Sequence, residues 1–223
     1  MCHDDVFRPS EYTAALLKQL WDRPPCTGRV LEIGTGSGVV LTALALAGAR
    51  EVVGVDIEPD AVQRTREMLH AAGVAAAQVH CGHLWEPVGD QPFDLIVFNP
   101  PQLPMLDDVP QLHRLRSWSN GGDAGRAILD QFLDGLAQHL APQGQALITH
   151  SGFVDATLTR RHLALCGLQA EVKQSVTVVM PPSKLRVLPT GWLERLEQHG
   201  LKRLGPYVFS EFDVLEIRHT RAA

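Results

Sequence analysis

The sequence predicts an α/β fold in which helices cover both faces of a mostly parallel sheet. Short β-branched and apolar runs alternate with longer segments of helical period along the 223 residues, which is typical of successive βα units. The run FDLIVF at 93–98 is apolar almost throughout, as expected for a central strand buried on both faces. No linker or internal repeat divides the chain, so we expect a single domain over 1–223.

The individual elements follow from the hydrophobic period and from turn residues. Strands are predicted at 29–33, 51–56, 76–80, 93–98, 145–150, 171–180 and 207–218. Helices are predicted at 11–21, 37–47, 59–72 and 154–166, with a further apolar-striped helix capped by Asp123. The segment 99–122 has no period and is expected to be a substrate-facing loop. An insertion at 181–205, with a short helix at 191–199, is either part of the substrate pocket or a structural cap.

Composition disfavours several classes of function. The formal net charge is −5 and basic residues form no long run, which argues against a nucleic-acid partner. No apolar stretch reaches the roughly 18 residues of a membrane helix, and the start lacks a signal segment, so a cytoplasmic protein is expected. The four cysteines are scattered without CxxC spacing, and the cluster His80, Cys81 and His83 lacks a fourth ligand, so no metal is expected.

A glycine-rich turn follows the first predicted strand in the segment VLEIGTGSG. Gly34, Gly36 and Gly38 would let the backbone approach a ligand without a Cβ in the way. This GxGxG spacing, with Glu32 two residues earlier, suits a ligand with an amino acid end better than a pyrophosphate. Asp56 ends the second strand 18 residues after Gly38, where its carboxylate can accept hydrogen bonds from both ribose hydroxyls. These residues favour S-adenosyl-L-methionine over a dinucleotide as the cofactor.

The segment Asn99-Pro100-Pro101-Gln102 directly follows the fourth strand, at the edge where open α/β sheets bind their ligands. The prolines have no N–H, so this turn presents carbonyl oxygens and the Asn99 side-chain oxygen as acceptors. Two such acceptors can hold an NH₂ group and aim its lone pair at a sulfonium methyl group. The sequence therefore predicts methyl transfer to an amide or amine nitrogen, with Asn99 and Pro100 as the catalytic residues.

Six segments, in order, resemble a known family: VFRPSEYT, LEIGTGSG, VVGVDIEPDAV, HLWEP, FDLIVFNPPQ and NGGDAGRAILDQF. Over 6–152 the chain is similar to class I S-adenosylmethionine-dependent N-methyltransferases, and among them to the release-factor glutamine methyltransferases of the HemK type. The resemblance implies a Rossmann-like sheet of seven strands with an antiparallel last strand. Together with the motifs, it places at the cofactor the residues Glu32, Gly34, Thr35, Gly36, Gly38, Asp56, Ile57, His83, Leu84 and Asn99, and at the substrate the residues Phe7, Arg8, Pro9, Pro101 and Gln102.

Three features depart from that family's pattern. About 27 residues precede the first strand, where the family has a helical substrate-recruiting domain. Gln102 stands where the family usually has a tyrosine, which changes the wall beside the target nitrogen. His83 stands where an aspartate commonly contacts the adenine, so it is either a cofactor neighbour or a surface histidine. The acceptor is accordingly either a small metabolite or a protein glutamine.

Three further functions stay open from the sequence alone. Methylation of adenine in nucleic acid uses similar NPP chemistry, although the charge disfavours it. A cofactor-binding subunit without catalytic activity and a nicotinamide-dependent oxidoreductase would also be compatible with the glycine-rich turn. A homodimer or a small activator subunit would be compatible with the sequence.

Overall fold

The computed structural model describes residues 8–105, 118–186, 188, 191 and 201–220. In chain order its elements are α1 (Glu11–Trp21), β1 (Arg29–Ile33), α2 (Val39–Leu46), β2 (Glu51–Asp56), α3 (Pro59–Ala71), β3 (Gln78–Cys81), β4 (Phe93–Phe98), α4 (Ala127–His139), β5 (Leu140–Ser151), α5 (Ala156–Leu165), β6 (Leu168–Val179), α6 (Pro182–Leu185), β7 (Lys202–Leu204) and β8 (Tyr207–His219). None of the helices within these ranges is long and apolar enough to cross a membrane.

The strands of the described residues belong to one sheet, whose order is β3-β2-β1-β4-β5-β8-β6, with β7 paired to β8. Neighbouring strands from β3 to β5 run parallel, whereas β8 runs antiparallel to both β5 and β6. The predicted sheet with a reversed last strand is therefore confirmed. The short strand β7 was not predicted, because its three exposed residues carry no apolar pattern.

Helices lie on both faces of the sheet, as predicted. On one face, the buried side of α4 packs with Leu163 of α5 against residues such as Leu31 and Ile96. On the other face, α1, α2 and α3 cover residues such as Val30 and Val97. Successive strand residues point to opposite faces, so the central strands need apolar residues at nearly every position.

Several predicted boundaries were wrong for local reasons. Helix α4 starts at Ala127 with Arg126 as its N-cap, not at Asp123. Gly122 and Gly125 both have positive φ, 75° and 69°, so the backbone turns twice before the helix can begin. Helix α2 starts at Val39 rather than 37, because Gly38 is left-handed. Strand β3 is displaced towards Cys81, and β5 extends back to Leu140. Most of the helix predicted at 191–199 lies outside the described residues.

Gly38 offers a test of the glycine turn. A Cβ at Gly38 would lie 2.7 Å from the Thr65 Cα, and φ there is +78°. Gly38→Ala should therefore lower the free energy of unfolding by about 2–5 kcal/mol, which combines backbone strain with a steric overlap. Gly73→Ala is the matched control, since Gly73 has φ +76° but no atom within 4 Å of its Cβ position. Urea denaturation should show a clearly smaller loss for Gly73→Ala; equal losses would contradict the overlap with α3.

Candidate functional site

The two motifs singled out from the sequence, the glycine turn and the NPPQ turn, meet at the carboxyl edge of β1 and β4. Ile33 at the end of β1 pairs with Phe98 at the end of β4, and Phe98 pairs with Ile148 of β5. The glycine turn that follows β1 and the NPPQ turn that follows β4 therefore start side by side. The topology thus brings the two motifs together although 60-odd residues separate them in the chain.

The glycine turn has the backbone geometry that its composition predicts. Gly34, Gly36 and Gly38 all have positive φ, at 69°, 50° and 78°. The Gly34 N–H donates to the Val55 carbonyl of β2 at 2.7 Å, which fixes where the turn leaves the sheet. The Thr35 hydroxyl accepts a hydrogen bond from Thr65 of α3 at 3.0 Å, so its side chain holds the turn against that helix.

Glu32 is a buried carboxylate beneath this turn. Its Oε2 has no hydrogen-bond partner among the described residues. Burial raises the pKa of Glu32 well above its usual range, the Leu41 backbone amide opposes this, and the negative charge of Asp56 adds to it. An acid in this position favours a cationic ligand group, because a cation would satisfy the free oxygen and stabilise its charge. The ammonium of an amino acid has that chemistry.

Asp56 lies at the end of β2 and faces the same turn. Its Oδ2 accepts the Gly36 N–H at 2.8 Å and its Oδ1 accepts the Glu58 N–H at 2.9 Å. Burial raises the pKa of Asp56, while these backbone hydrogen bonds lower it. The Ile57 backbone amide also hydrogen-bonds to this carboxylate. A carboxylate has about four acceptor positions, so it can still accept a hydrogen bond from a ribose hydroxyl. The next residue, Ile57, is 58% exposed, so an apolar surface suited to an adenine ring lies beside the carboxylate.

The NPPQ turn is held to β5 by hydrogen bonds from two of its side chains. The Thr149 hydroxyl donates to the Asn99 Oδ1 at 2.6 Å. Gln102 is buried, and its Nε2 donates to the Thr149 carbonyl at 2.9 Å, while its Oε1 accepts the Ser151 N–H at 2.9 Å. Its Nε2 also lies 3.4 Å from the Pro100 carbonyl oxygen. The Gln102 carboxamide thus binds the protein's own backbone, whereas the sequence predicted that it contacts the substrate.

A second glycine-rich segment packs on the far side of the NPPQ turn. A Cβ on Gly125 would lie 2.5 Å from the Gln102 carbonyl oxygen, and no larger residue fits there without a shift. Leu103 donates to the Ser119 carbonyl at 2.8 Å and accepts from the Gly121 N–H at 2.9 Å. The NGGDAG segment therefore fixes the chain that leaves the turn, which accounts for its glycines.

The segment after β3 contributes Leu84 and His83. Leu84 is buried with φ 45°, the single non-glycine residue with positive φ in the described part of the chain. Such strain is found where the surrounding structure needs a particular backbone position. The His83 Nε2 lies 3.0 Å from the Gln131 Oε1 of α4, which is an exposed contact. In the described ranges, no three His, Cys, Asp or Glu residues are placed to hold a metal ion.

Of the N-terminal residues expected beside the substrate, Phe7 lies outside the described residues. Arg8 and Pro9 border a cavity of about 420 Å³ on the outer side of the glycine turn, next to α2 and α3. The other lining residues are Ser37, Val39, Arg64, Glu67 and Met68. The structure therefore places Arg8 beside the glycine turn.

The insertion before β8 lies near the NPPQ turn. Its Leu185 packs on a cluster that contains Leu103, directly after NPPQ. The neighbouring Lys184 Nζ lies 5.4 Å from the centroid of the Tyr12 ring, and burial lowers the pKa of this lysine. Burial also raises the pKa of Tyr12 to about 12, against a hydrogen bond with the Ser151 side chain, so Tyr12 remains neutral.

His150 is a buried histidine on β5, and it makes stability depend on pH. Its Nε2 lies 2.9 Å from the Thr159 hydroxyl, and burial together with the nearby Arg126 charge lowers its pKa to about 4. The unfolded chain takes up this proton near pH 6.5 but the folded chain does not, so stability falls as pH drops from about 6.5 to 4. The loss is on the order of 3 kcal/mol. Urea denaturation across this pH range should show that the free energy of unfolding declines less in His150→Gln than in wild type. Parallel curves of this free energy against pH for the two proteins would contradict the prediction.

Comparison with known proteins agrees with this geometry. The Methyltransferase small domain family matches residues 8–112. A relative named "Putative protein N5-glutamine methyltransferase" from Methanocaldococcus jannaschii is 35% identical over 83% of this chain and 91% of its own length. The release factor glutamine methyltransferase of Geobacter sulfurreducens is 40% identical over 59% of this chain, which spans 44% of that longer protein.

Solved structures share the fold at low sequence identity. The Mtq2–Trm112 complex of E. cuniculi, responsible for methylation of the eRF1 termination factor, contains a chain with a TM-score of 0.64 and 18% identity, covering 97% of this chain and 99% of that one. The ribosomal protein L11 methylase of Lactobacillus delbrueckii has a TM-score of 0.57 and 19% identity, covering 98% and 83%.

The cofactor follows from the family and from the residues beneath the glycine turn. The unpaired Glu32 oxygen, the Asp56 carboxylate and the exposed Ile57 fit the ammonium, ribose and adenine groups of S-adenosyl-L-methionine. The chain belongs to the HemK-like class I methyltransferases, together with the protein N5-glutamine methyltransferases, and it is an S-adenosyl-L-methionine-dependent enzyme that methylates nitrogen.

Proposed function

We propose that this enzyme methylates the side-chain amide nitrogen of a glutamine in a protein, with translation release factors as the first candidates. The carrying observation is the Asn99 side chain, whose Oδ1 is held by Thr149 beside the glycine turn. The relative matched over most of its length carries the name of a protein glutamine methyltransferase, which favours a protein acceptor over the small metabolite. We place the activity in the cytoplasm, where release factors work.

In this proposal the two acceptor oxygens of the NPPQ turn position the nitrogen. The Asn99 Oδ1 and the Pro100 carbonyl each accept one N–H of the glutamine amide, which turns its lone pair away from the carbonyl π system. S-adenosyl-L-methionine, when bound, supplies a methyl group on a positively charged sulfur, and the transfer leaves a neutral thioether. Once the nitrogen is methylated, it loses one proton, which Asn99 or Pro100 directs to water.

The proposed cofactor contacts use the residues beneath and beside the glycine turn. Glu32 holds the ammonium group, Asp56 the ribose hydroxyls and Ile57 with Leu84 the adenine. Gly34 and Gly36 have positive φ, where a residue with a Cβ would be strained. Because they lack a Cβ, the backbone can lie against the methionine portion of the cofactor. No metal or covalent intermediate is required, because a neutral leaving group needs little acid catalysis.

The experiment supplies the purified enzyme with methyl-labelled S-adenosyl-L-methionine and a release factor from the same organism. The expected result is one added methyl group on a single glutamine, located by peptide mass spectrometry. A second reaction offers free glutamine and small amides as acceptors. If these are labelled in preference to the release factor, the acceptor is a small metabolite and the proposal of a protein acceptor is wrong. Because the E. cuniculi chain was solved with Trm112, proteins that co-purify with this enzyme are identified and added back. Failure to bind the cofactor would exclude the proposal.

A further inference from the structure

The hydroxyl of Thr149 lies directly behind the acceptor atom of Asn99. Thr149 is fully buried on β5, and its Oγ1 donates to the Asn99 Oδ1 at 2.6 Å. The strand pairing sets this contact, because Phe98 and Ile148 are register partners and Asn99 and Thr149 follow them. A threonine at this point of β5 is therefore within reach of the side chain that follows β4.

The same residue is tied to the NPPQ turn a second time through its backbone. Its carbonyl accepts the Gln102 Nε2 at 2.9 Å, and the Gln102 Oε1 accepts the Ser151 N–H at 2.9 Å. These hydrogen bonds fix the far end of the turn, while the Thr149 hydroxyl fixes its first residue. The NPPQ turn thus has little freedom to move relative to β5. The acceptor positions that these hydrogen bonds leave unused remain available to the substrate.

The position of the hydroxyl has a chemical consequence for Asn99. An amide oxygen can accept two hydrogen bonds, and the Thr149 hydroxyl occupies one of them. The remaining acceptor position is held in a defined direction without any contribution from the substrate. An asparagine without this partner could rotate about χ2 and turn its NH₂ group towards the substrate. That group would then repel the NH₂ group of the substrate, because both are hydrogen-bond donors.

We propose that Thr149 is a positioning residue for methyl transfer, acting by orienting the Asn99 Oδ1 towards the acceptor nitrogen. This inference rests on the proposed function of Asn99 but adds a residue outside the NPPQ motif. Its role is to raise kcat, since its hydroxyl acts through Asn99 and its carbonyl binds Gln102, whereas the cofactor groups are assigned to Glu32 and Asp56. Preorganisation of this kind commonly contributes about 10–100-fold to a rate.

The test compares Thr149→Val, which keeps the shape and removes the hydroxyl, with Thr149→Ser, which keeps the hydroxyl. Thr42→Val is the control for loss of a buried hydroxyl, because the Thr42 Oγ1 makes no hydrogen bond among the described residues. With the release factor as acceptor, kcat should fall about 10–100-fold in Thr149→Val. It should stay within about threefold of wild type in Thr149→Ser and Thr42→Val, with cofactor affinity unchanged in all three. Wild-type kcat in Thr149→Val, or equal losses in Thr149→Val and Thr149→Ser, would overturn the proposal.

A second measurement needs no acceptor and separates this proposal from the choice of substrate. The side-chain amide signal of Asn99 is assigned in nitrogen-15 NMR spectra from its disappearance in Asn99→Asp. It should shift or broaden in Thr149→Val but keep its position in Thr149→Ser and Thr42→Val. If the release factor is not methylated while this pattern is found, the protein acceptor is wrong and the positioning role stands. An unchanged Asn99 signal in Thr149→Val would overturn the positioning role whatever the acceptor.

Discussion

Asn99→Ala should lower kcat for methyl transfer by about 100-fold or more, with little change in the affinity for S-adenosyl-L-methionine. The substitution removes the acceptor oxygen that Thr149 holds at 2.6 Å, while the Pro100 carbonyl and the Gln102 hydrogen bonds to β5 remain. The nitrogen would then be held by one acceptor instead of two and could rotate away from the methyl group. Single-turnover kinetics with labelled cofactor measure the chemical step, and calorimetry measures binding.

Two controls make the Asn99 result specific. Gln63→Ala removes an exposed amide of α3 that donates to Glu67 within its own helix, and it should leave kcat unchanged. Thermal denaturation of Asn99→Ala should show a loss of only about 1–3 kcal/mol in the free energy of unfolding, because the buried Thr149 hydroxyl loses its acceptor while the Gln102 hydrogen bonds to β5 remain. If Asn99→Ala retained full kcat, the NPPQ turn would be a structural feature and another residue would have to position the nitrogen.

The parts of the fold that the sequence predicted well are those set by local chemistry. Strands β1, β2 and β4 begin and end at the predicted residues, because apolar runs stop at glycine, aspartate or the NPPQ segment. Helix α4 was shifted because Asp123 is a good cap by composition, whereas the left-handed Gly125 delays the start to Ala127. A preference for capping cannot reveal which of several turns the backbone takes.

The candidate site also has parts that the sequence predicted and parts that it did not. The positions of the glycine turn, Asp56 and the NPPQ turn followed from the motif spacing and from the rule that parallel strands share a carboxyl edge. The orientation of Gln102 did not follow, because a carboxamide can bond to substrate or backbone, and its partner Thr149 is 47 residues away. Thr149 itself was not predicted, since a threonine in a strand usually reflects β propensity. A hydroxyl ending an apolar run at the ligand edge was the available signal.

Glu32→Gln should separate cofactor binding from stability, with opposite effects on the two. Burial raises the pKa of Glu32, so its charged form destabilises the ligand-free protein increasingly as pH rises above about 4.3 towards the folded pKa. Glutamine has no charge to bury, and the variant should be more stable than wild type at neutral pH by about 1–3 kcal/mol. Its affinity for S-adenosyl-L-methionine should fall about 10–100-fold, because a charged hydrogen bond to the ammonium is lost.

The pH dependence distinguishes this mechanism from a general disturbance of the glycine turn. In wild type the cofactor favours the ionised Glu32, so its affinity should rise with pH as the carboxyl group loses its proton, and binding should release a proton. Calorimetry of Glu32→Gln in buffers of different ionisation enthalpy should show no such release. Glu171→Gln, an exposed carboxylate on β6, is the control and should behave as wild type in both measurements. If Glu32→Gln lost stability and affinity together, the carboxylate would serve the fold of the turn, and the cofactor ammonium would have to be bound by another group.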